Sequence, residues 1–129
     1  MSVFEATHTV ISEDLDDLNH VNNVRYVQWV QDIAKAHWEA VTTPLQQHEN
    51  IWVLLSHHID YKSAAKHNDE IYIKTYVTRS EGVTSSRLVE MYHKGNEKLI
   101  VKSETTWCLL DGLSKKPKRI PAEIAAVFR

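Results

Sequence analysis

One stretch of the chain, residues 24–42, constrains the fold more than any other. Its polar residues recur every three or four positions, which is the spacing of one helix face. The stripe that they form is narrow and consists of Arg25, Gln28, Asp32, Lys35 and Glu39. Apolar and aromatic residues cover most of the remaining circumference. A helix with so little polar surface should not lie on the outside of a protein, so we expect other structure to wrap around it.

The ends of this helix are also marked in the sequence. Asn22 and Asn23 precede it, and either asparagine can cap the helix with its side-chain oxygen. Pro44 follows it and prevents the helix from continuing much further.

The rest of the chain is typical of β-strands. Only three glycines and three prolines interrupt the 129 residues, so the elements should be long. We predict strands over Phe4–Ile11 and at about 51–61, 71–77, 83–94 and 97–110. Gly82 marks one turn, and Gly95-Asn96 predicts a two-residue hairpin. In the strand at 51–61, alternation predicts one shared face for Ile51, Val53, Leu55, His57, Ile59 and Tyr61. Pro121 is expected to start a short closing helix over residues 122–128.

This order of elements predicts an α+β fold in a single domain spanning residues 1–129. Short connections favour antiparallel neighbours, so the long helix should lie against a curved antiparallel sheet of about five strands. Such a sheet leaves a face or an edge uncovered. A second copy of the chain would cover it, which predicts a homodimer or a homotetramer.

Composition excludes several classes of protein. Fifteen lysines and arginines against seventeen acids give a formal charge of −2, which argues against nucleic-acid binding. No window approaches the roughly 18 apolar residues of a membrane span, and the first residues do not resemble a secretory signal. Cys108 is the single cysteine, so no intrachain disulfide can form. These features predict a cytoplasmic protein.

Asp14 to Asn23 is the segment most suggestive of chemistry, because acids, amides and His20 directly precede the helix. A helix start offers free N–H groups and a positive dipole end, which can hold a developing oxyanion. A nearby carboxylate can attack a carbonyl or activate water. The same residue types also serve as ordinary caps and turn formers, so the pattern alone leaves both interpretations open.

The motif Asp16-x-x-x-His20-Val21-Asn22-Asn23-x-x-Tyr26, at the start of the only long helix, resembles the hotdog-fold acyl thioesterases. The similarity is to the hydroxybenzoyl-CoA thioesterase type and to the acyl-ACP thioesterases. It extends over most of the chain and includes the segment after Tyr61, the turn at Asp69, and Arg119-Ile120-Pro121.

The resemblance implies hydrolysis of acyl-CoA or acyl-ACP thioesters without a cofactor, in a dimer that pairs through the sheet edge. It implies that Asp16 is the nucleophile or general base and that His20 orients the carbonyl or the aspartate. The N–H groups around Asn22 and Asn23 would be the oxyanion donors. Tyr26, His57, Tyr61 and Lys62 are the expected substrate-binding residues.

Two departures from the family pattern matter. Asn19 replaces a glycine of many members, but asparagine tolerates the left-handed backbone conformation. The plant acyl-ACP enzymes carry Asn, Glu and Cys at positions where this chain has Leu18, Ala64 and Ala65. The sequence therefore favours a site centred on Asp16 over a plant-type site.

The remaining candidates are less specific. Eight histidines are scattered without metal-ligand spacing, so no metal site is expected. His57 is interpreted as a hydrogen-bonded core histidine or as a residue near the acyl pocket. Lys62, Lys66 and Arg87 are candidates for contacts with CoA phosphates. The alternative functions are a non-catalytic hotdog module that binds acyl thioesters and, less favoured, a hotdog hydratase.

Overall fold

The computed structural model describes all residues from Met1 to Arg129. Five strands form one antiparallel sheet in the order β1-β3-β4-β5-β2. The strands are β1 (Phe4–Thr9), β2 (Asn50–Tyr61), β3 (Glu70–Glu81), β4 (Thr84–His93) and β5 (Leu99–Asp111). The helices are α1 (Asn23–Val41), α2 (Pro44–Glu49) and α3 (Ala122–Ala126), and Ser12–Asp14 forms a 3-10 turn. The predicted α+β architecture, with one long helix and five antiparallel strands, is confirmed.

Helix α1 packs one face against the sheet. Its buried residues recur at helical spacing and are Tyr26, Trp29, Val30, Ile33, Ala34 and His37. They meet the inward side chains of the sheet, among them Ile71, Ile73, Val89, Met91 and Val101. The chain itself covers only this face of the helix, since Val24 remains 70% exposed.

The ends of α1 follow the sequence closely. Asn22 is the N-cap, and its side-chain oxygen accepts a hydrogen bond from the Val24 N–H. The helix ends at Val41, as Pro44 predicts, but Pro44 also occupies the first turn of α2. Thr43 and Gln46 form a capping box there. The sequence interpretation missed α2 because it treated the proline only as a helix breaker, although proline is favoured in a first helical turn.

The predicted single face of β2 is wrong. A bulge between Leu54 and Ser56 inserts an extra residue opposite β5, so the alternation changes phase at Leu55. Trp52 and Leu54 lie opposite inward residues of β5 before the bulge, and His57 does so after it. Alternation in the sequence does not reveal the inserted residue, because the insertion depends on how β2 pairs with the neighbouring strand.

The predicted hairpin at Gly95-Asn96 is confirmed, because β4 and β5 pair as antiparallel neighbours, but its predicted two-residue loop is wrong, since five residues, Lys94–Lys98, connect the strands. Glu97, rather than glycine, adopts the left-handed conformation, with φ of 60°. The turn at Gly82 is confirmed: Glu81 pairs with Thr84, and Gly82 has φ of 61°.

Candidate active site

The segment between β1 and α1 is a closed loop. An isolated β-bridge joins Leu15 to Val21, and the Asp16 N–H donates to the His20 carbonyl at 2.8 Å. Asn19 forms the tip: its N–H donates to the Asp16 carbonyl at 3.1 Å, and its φ is 61°. The expectation that asparagine tolerates the left-handed turn is therefore confirmed. These bonds fix the backbone on both sides of Asp16.

The Asp16 side chain is half-buried and turns back into its own loop. Its Oδ1 accepts hydrogen bonds from the backbone N–H groups of Leu18 at 2.9 Å and His20 at 3.1 Å. Oδ2 makes no hydrogen bond within the chain. One oxygen therefore holds the carboxylate in place, and the other is available to a ligand.

The start of α1 lies directly after this loop. The Asn22 N–H donates to the Asp14 carbonyl at 2.8 Å, so it is already occupied. The Asn23 N–H occupies the first position of the helix and has no partner in the chain. The open donor at this positive helix end is therefore that of Asn23.

The other residues of the motif have different environments. His20 is exposed, and its side chain makes no hydrogen bond. The Tyr26 ring is buried below the surface, where its hydroxyl has no hydrogen-bond partner. Burial raises the pKa of Tyr26 to about 12, so the phenol is neutral at ordinary pH. Its ring centroid lies 5.9 Å from that of Tyr61, which is 42% exposed at the end of β2.

Tyr61 thus reaches the start of α1 beside Tyr26, and the exposed Lys62 follows it in the chain. His57 does not reach the start of α1, because it lies four residues earlier on β2, about 13 Å away along the strand. Its Nε2 lies 2.7 Å from the Ser103 hydroxyl. Burial, together with the charge of His58, lowers the pKa of His57. The predicted hydrogen bond of His57 is confirmed, but its ring is half-buried rather than in the core.

A buried carboxylate next to the loop was not identified from the sequence. Asp14 is 4% exposed, and its Oδ2 contacts His8 Nε2 at 2.8 Å and accepts from the Ile11 N–H at 3.0 Å. Arg25 Nε lies 3.6 Å from Oδ1. Asp14 therefore ties β1 to the start of α1. The Asp14 carboxylate accepts the Ile11 N–H as the third residue of a capping box does, but Ile11 has no side-chain acceptor to complete the box, so the sequence carried no capping signal here.

Arg87 is misplaced by the sequence interpretation. It is 5% exposed and points inward from β4, so it does not meet CoA phosphates at the surface. It lines a half-open cavity of about 510 Å³ between α1 and the inner face of the sheet. Trp38, Trp52 and Trp107 line the same cavity.

Cofactor and membrane features are few. No group of three or more His, Cys, Asp or Glu side chains is arranged to hold a metal ion. Cys108 is free and buried. None of the helices combines the length and the apolar character that crossing a bilayer requires.

Solved structures with the same architecture are numerous. Slr0204 of Synechocystis, a 1,4-dihydroxy-2-naphthoyl-CoA thioesterase, is 14% identical; the match covers 98% of this chain and 96% of that one, with a TM-score of 0.85. The probable thioesterase YbaW of Escherichia coli is 18% identical, with coverage of 95% and 94% and a TM-score of 0.85. These similarities show the hotdog fold.

The 12:0-ACP thioesterase of Umbellularia californica is 15% identical, with a TM-score of 0.84. The match covers 98% of this chain but only 51% of the plant enzyme. No curated protein sequence matches the chain. The family model of the acyl-ACP thioesterase N-terminal domain matches residues 1–128. The chain therefore belongs to the acyl-ACP thioesterase family and is a hotdog-fold hydrolase of acyl thioesters.

Proposed function

We propose that Asp16 is the catalytic carboxylate of this thioesterase and that the Asn23 N–H binds the oxyanion. The observation that carries the proposal is the asymmetric bonding of Asp16. Two backbone N–H groups hold Oδ1, whereas Oδ2 has no partner. A carboxylate held in this way keeps a fixed direction, and its free oxygen can react without breaking a structural hydrogen bond.

The chemistry can follow two routes from this geometry. As a general base, Oδ2 removes a proton from water while the water oxygen attacks the carbonyl carbon. The C–S bond then breaks, and the thiolate takes up the proton. As a nucleophile, Oδ2 attacks the carbonyl itself and expels the thiolate, and water then hydrolyses the resulting anhydride. In both routes negative charge develops on the carbonyl oxygen, which the helix start stabilises.

The oxyanion role belongs to Asn23 rather than Asn22 in this proposal. The Asn22 N–H is bonded to Asp14, and its side chain caps the helix through Val24. Asn22 therefore supports the site by fixing the helix start. The exposed His20 side chain extends from the same loop, where it can orient the thioester carbonyl.

Acyl thioesters of CoA or of acyl carrier protein are the proposed substrates, and both carry phosphate. The exposed Lys62 and Lys66 follow Tyr61, close to the end of α1, and provide positive charge there. Slr0204, which shares the fold, acts on a CoA thioester, and the Umbellularia enzyme is an ACP thioesterase. No cofactor is needed for either route. The single, reduced Cys108 supports a cytoplasmic location.

We further propose a homodimer, or a tetramer built from it, paired through β2. This strand is twelve residues long and forms one edge of the sheet, with β5 as its only neighbour. Leu55 at its bulge is 57% exposed, and Val53 and Leu54 are also exposed. A long apolar edge of this kind is normally covered, and a second β2 would extend the sheet by symmetric antiparallel pairing.

The test is release of free thiol from purified protein with acyl-CoA and acyl-ACP substrates of increasing chain length. We expect turnover on at least one series, and comparison of kcat/KM between carriers then identifies the carrier. Tight binding of acyl-CoA without thiol release on any substrate would refute hydrolysis and indicate a binding module. Single turnover in H₂¹⁸O distinguishes the routes, because only the nucleophilic route transfers the label into the Asp16 carboxylate.

A further inference from the structure

The cavity under α1 contains a buried cation without a counter-ion. Arg87 is 5% exposed, and burial lowers its pKa to about 10, so the guanidinium remains charged at neutral pH. No carboxylate forms an ion pair with it. Buried charges in proteins are normally paired, because an unpaired charge is strongly disfavoured in an apolar interior. An anion is therefore missing from the contacts that this chain supplies.

One edge of the guanidinium is fully used by the protein. Nη1 donates to His37 Nδ1 at 2.9 Å and to the Thr75 hydroxyl at 3.0 Å. His37 in turn lies 2.9 Å from the Ser2 hydroxyl through Nε2, and the Phe128 ring lies 5.3 Å from Arg87 Cζ. These neighbours hold the guanidinium plane in one orientation, as a ligand-binding arginine requires.

The other edge makes no hydrogen bond. Neither Nε nor Nη2 of Arg87 has a partner in the chain, and Arg87 lines the cavity. These two N–H groups form the fork that binds a carboxylate through two parallel bonds. Trp52 lines the same cavity, and its buried Nε1–H also has no acceptor. Because the Trp52 N–H is shielded from solvent, the unpaired donors that open into the cavity are those of Arg87.

The position of the cavity relates it to the proposed active site. It extends along α1 from Gln28 to Trp38, and Asp32 and Lys35 lie at its exposed mouth. The Asp32 carboxylate accepts from Gln28 at 2.7 Å and does not pair with Arg87. From Asn23 to His37, the helix rises roughly 20 Å. An extended chain advances about 1.2 Å per bond, so a linear acyl group of roughly sixteen bonds spans this distance.

We propose that this cavity is the distal acyl subsite and that Arg87 binds a carboxylate at the far end of the acyl group. The substrate class is then a long-chain acyl thioester with a terminal carboxylate, that is, a monothioester of a dicarboxylic acid. This inference rests on the proposed function, because it places the thioester at Asp16. Arg87 determines specificity in this arrangement and does not take part in the chemical step.

The experiment compares an acyl-CoA with its ω-carboxy analogue of equal chain length, over chains of ten to eighteen carbons. We expect the wild type to show a kcat/KM at least about ten-fold higher for the ω-carboxy compound, the range of a charged hydrogen bond. Arg87→Met should abolish this ratio, mainly through KM. Arg87→Lys should keep only part of the preference, because lysine supplies the charge but not the two parallel N–H groups.

A wild type that prefers the unsubstituted acyl group would overturn the proposal. If Arg87→Met shows the same ratio of kcat/KM for the two substrates as the wild type, the proposal is also overturned. Dissociation of the oligomer in Arg87→Met without a change in the ratio would show instead that the partner subunit supplies the anion. If the wild type hydrolyses no thioester, the proposed function fails, but the subsite is still testable by calorimetry. Decanoate should then bind at least ten-fold more tightly than its methyl ester, and Arg87→Met should remove that difference.

Discussion

The bonding of Asp16 predicts that two substitutions at this one position will separate catalysis from folding. In Asp16→Asn the amide oxygen can still accept from the Leu18 and His20 N–H groups, so the loop should keep its shape. The free oxygen becomes an NH₂ group, which can neither remove a proton nor attack a carbonyl. We expect kcat to fall by about 10²-fold to 10⁴-fold with little change in melting temperature.

Asp16→Ala removes the same reactive oxygen and also both loop hydrogen bonds. Each bond to a carboxylate contributes about 1.5–3 kcal/mol when it is shielded from water. Because Asp16 is only half-buried, water weakens both bonds, and we expect Asp16→Ala to lower the free energy of unfolding by about 1.5 kcal/mol in total. Unfolding a chain of 129 residues releases about 0.27 kcal/mol/K of entropy at the midpoint, so Tm should fall by about 6 °C.

Thiol release and differential scanning calorimetry, performed on both variants, provide the two readouts. Asp17→Asn is the matched control, because Asp17 is exposed, makes no hydrogen bond and carries the same charge. Asp14 is unsuitable as a control, because it is buried and bonded to His8. Near-normal turnover in Asp16→Asn would refute the assignment of Asp16. An equal Tm loss in both variants would show that the amide does not replace the carboxylate in the loop.

Three further outcomes are expected. His20→Ala should lower kcat by about ten-fold with an almost unchanged Tm, since its side chain makes no structural contact; a pure KM effect would contradict its orienting role. Leu55→Glu should sediment more as monomer than the wild type does, and an active wild-type monomer at micromolar concentration would refute the β2 interface. Burial, with the Arg87 charge, lowers the pKa of His37 from 6.5 to about 4, so the native state binds fewer protons than the unfolded state across this range. The free energy of unfolding should therefore decrease by about 3 kcal/mol as the pH falls from 6.5 to about 4. If His37→Gln loses stability with falling pH as steeply as the wild type, His37 is not the group responsible.

Much of the fold could be predicted from the sequence because local patterns carry it. The polar stripe of α1, its Asn22 cap and the turn at Gly82 depend on neighbouring residues alone. The motif from Asp16 to Tyr26 identified the loop and the helix start in the same way. Helix periodicity and capping act over a few residues, so one chain read in order contains them.

Tertiary structure decided the features that depend on distant partners. The bulge in β2 exists only through its pairing with β5, and it determines which side chains of that strand face inward. The occupied Asn22 N–H, the buried Asp14 and the inward Arg87 likewise follow from contacts between separate elements. Hydrogen-bond partners and burial are set by packing between distant parts of the chain. Sequence spacing can therefore identify a chemically capable residue, but it does not show whether that residue is already hydrogen-bonded or buried.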